Sequence, residues 1–409
     1  MLIDRDYYFQ KIKNYLGNPV IKVITGMRRS GKSFFLKEII QELKKKKIAS
    51  KNIIYIDKES TEFDLIRDYR DLDQYIQQKF SDECESPRYV LVDEIQEING
   101  WEKCIRSIAK QEQAEIFITG SNAYLLSSEL ATYISGRYIE FPIYPLSFRE
   151  FIKFREVSTK SSVKNLEDEF QLYIKFGGLP GLHNSSLDES ISYPYISSIL
   201  NTVILKDIIA RNQIREYASF ENILKFVFDN IGSTFSAKSI SDYLKSQNIK
   251  VTVETIQNYL SFLEAAYVIY KARRYDLQGK RHLEIHEKYY LADLGLRHAL
   301  LGYKSSDIND YLENIVYIEL KRRGYEVSIG KIGTLEIDFI ATKATEKLYV
   351  QVTYLLASEE VAEREFKPLQ KIKDNYPKYV FSMDKFYGEM FEGIRRLNII
   401  DWLMNDEVL

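Results

Sequence analysis

The 409-residue sequence contains only two cysteines, Cys84 and Cys104, and neither stands in a C-x-x-C or another metal-binding spacing. Two thiols suggest no disulfide framework, which fits a reducing compartment. No stretch approaches the ~20 apolar residues that a membrane helix needs. Asp4, Arg5 and Asp6 interrupt any apolar run near the first residue, which argues against a signal peptide. We therefore expect a cytoplasmic protein without a membrane segment.

The sequence also lacks a large excess of either charge. Lys and Arg number 57, Asp and Glu number 59, and the formal net charge is −2. Such a balance gives no overall basic field that would attract nucleic acid. The hydrophobic content of 45% and the charged content of 28% are ordinary for a globular protein. The length allows about two to four domains.

One segment has a recognisable chemistry. Residues 26–33 follow the phosphate-loop pattern G-x-x-x-x-G-K-S, after an apolar β-type run at 20–25 and before a helix-type run at 34–40. The two glycines let backbone N–H groups turn toward phosphate oxygens at a helix N-terminus. Lys32 would reach the β and γ phosphates, and the Ser33 hydroxyl would bind Mg²⁺. The residues predicted to contact the nucleotide here are Gly26, Arg28, Arg29, Ser30, Gly31, Lys32, Ser33 and Phe34.

A second apolar run, residues 89–94, ends in the acids Asp93 and Glu94. Ligands gather at the carboxyl ends of strands in a parallel sheet, so Asp93 would lie beside the phosphate loop and hold Mg²⁺, directly or through water. Glu94 would polarise the attacking water as the general base. The simpler interpretation is a strand followed by an acidic turn.

Two further strands carry polar residues at their ends. Ser121 and Asn122 follow the run 116–120, where either side chain could orient water or sense the γ-phosphate, although a turn that only closes the strand is equally consistent. Arg137 precedes the run 138–143. It could contact a γ-phosphate as an arginine finger, in its own subunit or a neighbour's, or form a structural ion pair.

These segments resemble a prokaryotic family of AAA-type ATPases. The resemblance rests on the motifs at 26–33, 90–96, 119–122 and 136–137, and on Tyr144-Pro145-Leu146-Ser147-Phe148-Arg149-Glu150-Phe151. It covers nearly the whole chain. It implies an α/β fold, with a doubly wound P-loop ATPase core over residues 1–155 that uses ATP and Mg²⁺.

Residues 156–215 are predicted to form a helical lid. Within it, Gly177-Gly178-Leu179-Pro180-Gly181 follows a helix-type run and has the residues of an ordinary helix stop. A similar G-x-P stretch in the lid of signal-transducing STAND ATPases places its proline on the adenine. That resemblance implies Pro180 as an adenine contact, and both interpretations stay open.

Residues 216–300 resemble a winged helix, with three helix-type runs followed by a β-hairpin. The predicted hairpin tip, 271–281, holds five basic residues and one acidic residue. A basic wing could grip DNA phosphates. Against this, the presumed recognition helix carries Glu254 and Glu264 and neither Lys nor Arg, and winged helices also dock proteins or form part of ATPase lids.

Residues 301–409 resemble the PD-(D/E)XK nuclease fold, a restriction-endonuclease-like α/β domain. The family's metal-binding and catalytic positions map to Glu313, Asp338, Gln351 and Thr353. Gln351 loses the charge of an acid, and Thr353 cannot supply the cation that a lysine would. Lys371 or Lys373 could reach the site from a following helix. We expect a domain that keeps the fold but does not cut DNA.

The sequence therefore predicts an ATP-binding protein that hydrolyses ATP slowly and acts as a nucleotide-dependent switch. One alternative is a DNA-processing ATPase with an ATP-gated nuclease. Another is a nucleotide-bound scaffold that does not hydrolyse ATP. DNA, a second copy of the chain or another protein are the partners to consider.

Overall fold

The computed structural model describes residues 3–80, 87–126, 137–385 and 390–405, without the side chains of 283–286. Cys84 and Gly136, which enter the sequence analysis, lie outside the described residues. The chain divides into two compact units, Met1–Ile143 with Ala265–Tyr267 and Tyr144–Glu264 with Val268–Leu409. No helix among the described residues has the length and apolarity to cross a membrane.

A five-stranded sheet organises the first unit, and all of its strands are parallel in the order β2-β3-β4-β1-β5. The parallel α/β core predicted from the sequence is confirmed. Its strands are β1 (Ile21–Thr25), β2 (Ile53–Asp57), β3 (Tyr89–Asp93), β4 (Glu115–Gly120) and β5 (Tyr138–Pro142). Because β4 lies between β1 and β3, its carboxyl end separates the phosphate loop from the two acids.

Helices cover both faces of this sheet. They are α1 (Asp6–Lys13), α2 (Lys32–Lys45), α3 (Tyr69–Lys79) and α4 (Glu102–Lys110). Alternate residues of β3 point to opposite sides: Leu91 packs with α1 and α2, whereas Val90 and Val92 pack with α3 and α4. Burial on both faces explains why the strands are continuous apolar runs.

The second unit begins with helices and continues into a mixed sheet. Its helical segments are α5 (Phe148–Thr159), α6 (Leu166–Phe176), α7 (Glu189–Thr202), a π-helix (Val203–Ala210), α8 (Tyr217–Asp229), α9 (Ala237–Ser246), α10 (Val253–Ala265, whose last residue belongs to the first unit), α11 (Leu294–Leu301), α12 (Ile308–Arg322), α13 (Glu359–Gln370) and α14 (Ile399–Met404). The predicted boundary at residue 155 falls inside α5, which a capping box between Ser147 and Glu150 starts.

An eight-stranded sheet follows the order β13-β12-β11-β10-β9-β7-β8-β6. Its strands are β6 (Thr234–Phe235), β7 (Ile269–Asp276), β8 (Arg281–Leu291), β9 (Glu326–Ile332), β10 (Leu335–Lys343), β11 (Glu346–Val352), β12 (Lys378–Ser382) and β13 (Ile394–Asn398). β7 pairs in parallel with β9, so the segments predicted at 216–300 and 301–409 share one sheet.

The prediction for the basic segment 271–281 was wrong in part. We expected a hairpin tip, but β7 extends to Asp276 and β8 begins at Arg281, so most of the segment is paired strand. Lys271 lies 3.7 Å from a carboxylate oxygen of Glu264 and 3.4 Å from one of Glu287. Neighbouring carboxylates therefore offset part of the charge that would attract DNA.

Gly177 ends α6 with a φ of 78°. A side chain at this position would also collide with Asp293, because a Cβ would lie 1.8 Å from Asp293 Oδ1. The next amide, the N–H of Gly178, donates to Asp293 Oδ2 at 2.6 Å. The two glycines therefore end the helix and also admit a buried carboxylate.

His183 is enclosed by aromatic rings in the second unit. The ring centroids of Phe151 and Phe154 lie 4.9 and 5.5 Å from its own, and neither imidazole nitrogen has a hydrogen-bond partner. Burial lowers the pKa of His183 to about 4, and the charge of Arg155 acts in the same direction. The folded unit therefore holds the neutral ring.

We expect acid to destabilise this unit through His183. The unfolded chain binds a proton below about pH 6.5 whereas the folded chain resists it, so stability falls by about 2 kcal/mol between about pH 7 and pH 5. His183→Leu should reduce the pH dependence of the urea unfolding midpoint. The exposed His282, changed to Leu, is the control. Equal pH slopes for the two variants would contradict this assignment.

Candidate active site

The loop between β1 and α2 has the geometry of an anion cradle. Gly31 caps α2 with a φ of 105°, and the non-glycine Arg29 has a φ of 66°. Gly26 has a φ of 140°, and a Cβ there would lie 2.1 Å from the carbonyl oxygen of Ile143. Only glycine fits at Gly26, where the loop passes the chain after β5.

Lys32 is the first residue of α2 and is only 3% exposed. Its ammonium group donates to the carbonyl oxygens of Gly26 and Met27, both at 3.1 Å. It also lies 3.5 Å from Glu94 Oε1. The loop's own carbonyls and one carboxylate therefore hold this cation at the carboxyl edge of the sheet.

Thr119, near the end of β4, connects the two acids. Its hydroxyl donates to Asp93 Oδ1 at 2.5 Å and accepts the backbone N–H of Glu94 at 2.9 Å. Burial raises the pKa of Asp93, and hydrogen bonds from Ser33 and Thr119 oppose that rise. Ser33 and Asp93 thus meet, as the sequence predicted, and offer the oxygen ligands that Mg²⁺ prefers.

Glu94 adopts the left-handed backbone region, with a φ of 52°. Such a conformation costs energy for a residue with a side chain and is frequent at functional sites. Its Oε2 accepts hydrogen bonds from Ser121, at 3.0 Å, and from the amide of Gln96. Burial favours protonation of Glu94, but the charge of Lys32 and the Gln96 bond outweigh it, so the pKa is lowered. The carboxylate stays ionised.

Several buried polar atoms around this edge have no hydrogen-bond partner in the structure, among them Ser30 Oγ, Gln96 Oε1 and Asn122 Nδ2. Buried polar atoms are usually paired. The phosphate loop supplies N–H groups, Lys32 supplies a cation, and Ser33 with Asp93 supplies oxygens. These residues fit a nucleoside triphosphate with its magnesium ion.

The other residues predicted near the nucleotide differ in exposure. Phe34 is 59% exposed on α2, and Arg29 is exposed in the loop. Arg28 is buried, and its Nη1 lies 2.6 Å from Glu59 Oε1. Glu59 follows β2, so this ion pair extends from the phosphate loop toward the edge strand.

The structure corrects one alternative for Arg137. Its carbonyl accepts the N–H of Ile21, level with the start of β1, whereas the phosphate loop follows the end of that strand. Five strand residues separate the two levels by ~16 Å, which is beyond the reach of one side chain. Arg137 therefore does not contact the γ-phosphate of its own subunit, and a role in a neighbour's site stays a prediction.

Pro180 lies in the second unit, where it starts a short 3₁₀ helix, Pro180–Asn184. It is partly buried, and the adjoining Gly181 passes close to the hydroxyl of Tyr195. The adenine contact predicted for Pro180 stays a prediction.

In the second unit, residues that the sequence placed far apart come together. Lys288 Nζ lies 2.9 Å from Glu313 Oε1, and the charges of Glu313 and Lys288 both act on Asp338. The Asp338 N–H donates to Gln351 Oε1 at 2.8 Å. Three of the four positions mapped from the motif therefore meet at one place.

The fourth position and the suggested substitutes behave differently. Thr353 is buried, and its N–H donates to the carbonyl of Phe381 at 2.9 Å. Lys371 and Lys373 are exposed beyond the last residue of α13. The lysine at the cluster is instead Lys288 of β8, which the sequence analysis did not select.

Sequence reasoning thus missed Thr119, Gln96 and Lys288. A polar residue after the apolar run 116–118 was a usable signal for Thr119, because it stands beside the predicted Ser121. Gln96 follows Glu94 by two residues, which alone has no specific meaning. Lys288 offered no signal, since the packing of α12 against β8, rather than sequence proximity, brings it to Glu313.

Comparison with known proteins agrees with this geometry. Residues 18–152 match a family described as an AAA domain, and residues 167–307 match a domain of unknown function, DUF8612. A Walker-type ATPase of Pyrococcus abyssi has a similar structure, with a TM-score of 0.51 at 16% identity. The similarity covers 73% of this chain and 96% of that one, and it supports the fold alone. The fold and the site define a P-loop ATPase of the AAA type.

Two relatives match most of the sequence. An uncharacterised protein of Haemophilus influenzae is 39% identical over 98% of this chain and 99% of its own length. Another, from Methanocaldococcus jannaschii, is 32% identical over 91% of this chain and 82% of its own. The chain belongs to the same family as these proteins, and its residues 18–152 match the AAA domain.

We expect Thr119→Val to damage both stability and nucleotide binding. The substitution keeps the shape but leaves the Glu94 N–H and the Asp93 carboxylate without this partner, a loss of about 1–3 kcal/mol. Urea unfolding and titration with ATP and Mg²⁺ measure the two effects. Thr202→Val, on an exposed helix position, is the matched control. Losses of equal size in both variants would show that Thr119 has no special role.

Proposed function

We propose that this protein binds ATP with Mg²⁺, hydrolyses it slowly and acts as a nucleotide-dependent switch. The observation that carries the proposal is the connected network at the carboxyl edge of the first sheet. Lys32, Glu94 and Ser121 form one chain of contacts, and Thr119 ties Asp93 to it. The network combines a phosphate-binding cation, a metal-binding acid and a general base.

Each residue then has a role that its contacts support. The loop amides of 26–33 and Lys32 would bind the phosphates, and Ser33 with Asp93 would hold Mg²⁺, which offsets negative charge on the phosphate oxygens. Glu94 would accept the proton of the attacking water. Asn122, whose amide nitrogen has no partner, would orient that water beside Ser121.

Two observations support slow turnover. Glu94 is held by Lys32, Gln96 and Ser121, so it must exchange partners before it can act on water. Arg137 lies at the opposite edge of the sheet, so it cannot supply a cation to the nucleotide site of its own subunit. We infer that hydrolysis accelerates in a homo-oligomer in which Arg137 completes a neighbouring site. Phe34 remains a proposed contact of the nucleotide, and Pro180 remains a proposed contact of the adenine ring.

For the second unit we propose a winged helix at 216–300 and a nuclease-like fold at 301–409 that does not cut DNA. The meeting of Glu313, Asp338 and Gln351 supports the second fold. Gln351 is held at both ends of its amide, because its Nε2 donates to Glu365 Oε2 at 3.0 Å. A Glu at 351 would place two carboxylates together, which explains why an amide stands there. We also propose that the basic residues of 271–281 can contact DNA phosphates.

Glu94→Gln tests the enzymatic part. The variant should bind ATP as the parent does but hydrolyse it ~10²-fold more slowly, because the amide cannot accept the proton. Single-turnover hydrolysis and equilibrium ATP binding separate the two effects. Glu97→Gln, an exposed acid in the same turn, is the control and should keep the parent rate. An unchanged rate in Glu94→Gln would assign the base elsewhere.

The second unit should not cleave DNA. We expect linear, supercoiled and single-stranded DNA to stay intact with Mg²⁺ or Mn²⁺, with and without ATP, because Gln351 stands where the motif has an acid and Thr353 where it has a lysine. Gel analysis of the products is the measurement. If the parent cleaves DNA, the same assay is run with Asp338→Asn. Cleavage by a contaminating nuclease would persist in this variant, whereas cleavage at this site would not. Cutting that disappears in Asp338→Asn would establish the ATP-gated nuclease instead.

A further inference from the structure

The ammonium group of Lys288 lies inside a group of carboxylates in the second unit. Its Nζ is 2.9 Å from Glu313 Oε1 and 2.8 Å from Glu336 Oε1. The Lys288 side chain is only 5% exposed. The hydroxyl of Tyr290 donates to the same Glu313 oxygen at 2.6 Å, so that carboxylate is fixed from two sides.

Asp338 adds a third carboxylate to this group. Its Oδ2 accepts the N–H of Val352 at 2.8 Å. Lys288 thus has carboxylate oxygens of Glu313 and Glu336 within 3 Å, which favour its charged form.

A divalent ion would need the same oxygens. Hard cations such as Mg²⁺, Mn²⁺ and Ca²⁺ bind carboxylate oxygens at about 2.0–2.6 Å, and a bound ion takes the centre of the group. The ammonium group already occupies that centre, at distances only slightly longer. Two cations cannot share it, because their repulsion at such a separation in a buried place is severe. With Lys288 in place, neither these carboxylates nor any other three Asp, Glu, His or Cys side chains among the described residues are arranged to hold a metal.

We propose that Lys288 is a built-in cation that takes the place of a divalent metal ion among Glu313, Glu336 and Asp338. The chain itself supplies the cation at this place, so the parent protein binds no metal there. The inference deepens the proposed nuclease-like fold and rests on it only for the reading of Glu313 and Asp338 as metal-binding positions. The contacts of Lys288 with Glu313 and Glu336 do not depend on the proposed nuclease-like fold.

The origin of Lys288 adds a structural consequence. β8 belongs to the hairpin that precedes the nuclease-like segment, and its partner β7 pairs in parallel with β9. The shared sheet therefore delivers the lysine to a carboxylate group formed by α12 and β10. A lysine of the segment 216–300 thus supplies the cation for carboxylates of the segment 301–409.

The test is a Mn²⁺ titration of the full chain without nucleotide. Electron paramagnetic resonance measures the bound Mn²⁺, and thermal unfolding is measured in parallel. Lys288→Met removes the charge and keeps most of the side-chain length, whereas Lys288→Arg keeps the charge. We expect one new Mn²⁺ site in Lys288→Met, with a Kd on the order of 10⁻⁴ M, at least ~10-fold tighter than in the parent or in Lys288→Arg. Mn²⁺ should also restore the unfolding temperature that Lys288→Met loses.

Adding Glu313→Gln to Lys288→Met locates the ion, because the new site should then disappear. If Lys288→Met does not fold, Lys288→Met with Glu336→Gln removes both members of one ion pair and should still bind one Mn²⁺ through Glu313 and Asp338. No Mn²⁺ binding by a folded variant would overturn the proposal. So would a Mn²⁺ site in the parent that Glu313→Gln abolishes. ATP hydrolysis does not enter these measurements, so a failure of the ATPase proposal would be seen separately.

Discussion

The first sheet must hold two buried carboxylates and one buried ammonium group within a few ångströms at its carboxyl edge. Asp93, Glu94 and Lys32 are each less than a tenth exposed. Unpaired charges at such depth are strongly unfavourable, so each needs hydrogen bonds or an opposite charge. The surrounding structure supplies them from the phosphate loop and from β4. The close packing of polar groups at this edge follows from that requirement.

Strand order is what makes the arrangement possible. A parallel sheet brings all carboxyl ends to one edge, and β4 lies between the strand of the phosphate loop and the strand of the acids. A hydroxyl at the end of β4 can therefore reach both acids, as Thr119 does. The same order keeps Arg137 at the amino edge, since it precedes its strand. Connectivity alone thus decides which side chains serve one site.

Local patterns predicted much of this from the sequence. Apolar runs that end in polar residues identified the strands of the first unit, and the glycine and lysine spacing identified the phosphate loop. The meeting of Ser33 with Asp93 followed from the rule for parallel sheets. Pairing between distant strands was not accessible in this way. The sequence analysis therefore treated 271–281 as a free tip and overlooked Lys288, because nothing near either segment reports that β7 lies beside β9.

The two buried lysines show why similar groups lead to different chemistry. Lys32 is held by two neutral carbonyls at 3.1 Å and by a carboxylate at 3.5 Å, so a triphosphate can outcompete its partners. Lys288 is held by two carboxylates at 2.8 and 2.9 Å, so an anionic ligand would have to displace both of them to bind it. Lys32 is available for binding a phosphate, whereas Lys288 is the ion-pair partner of Glu313 and Glu336. A chain of this kind can therefore keep a responsive nucleotide site in one unit and a closed carboxylate group in the other.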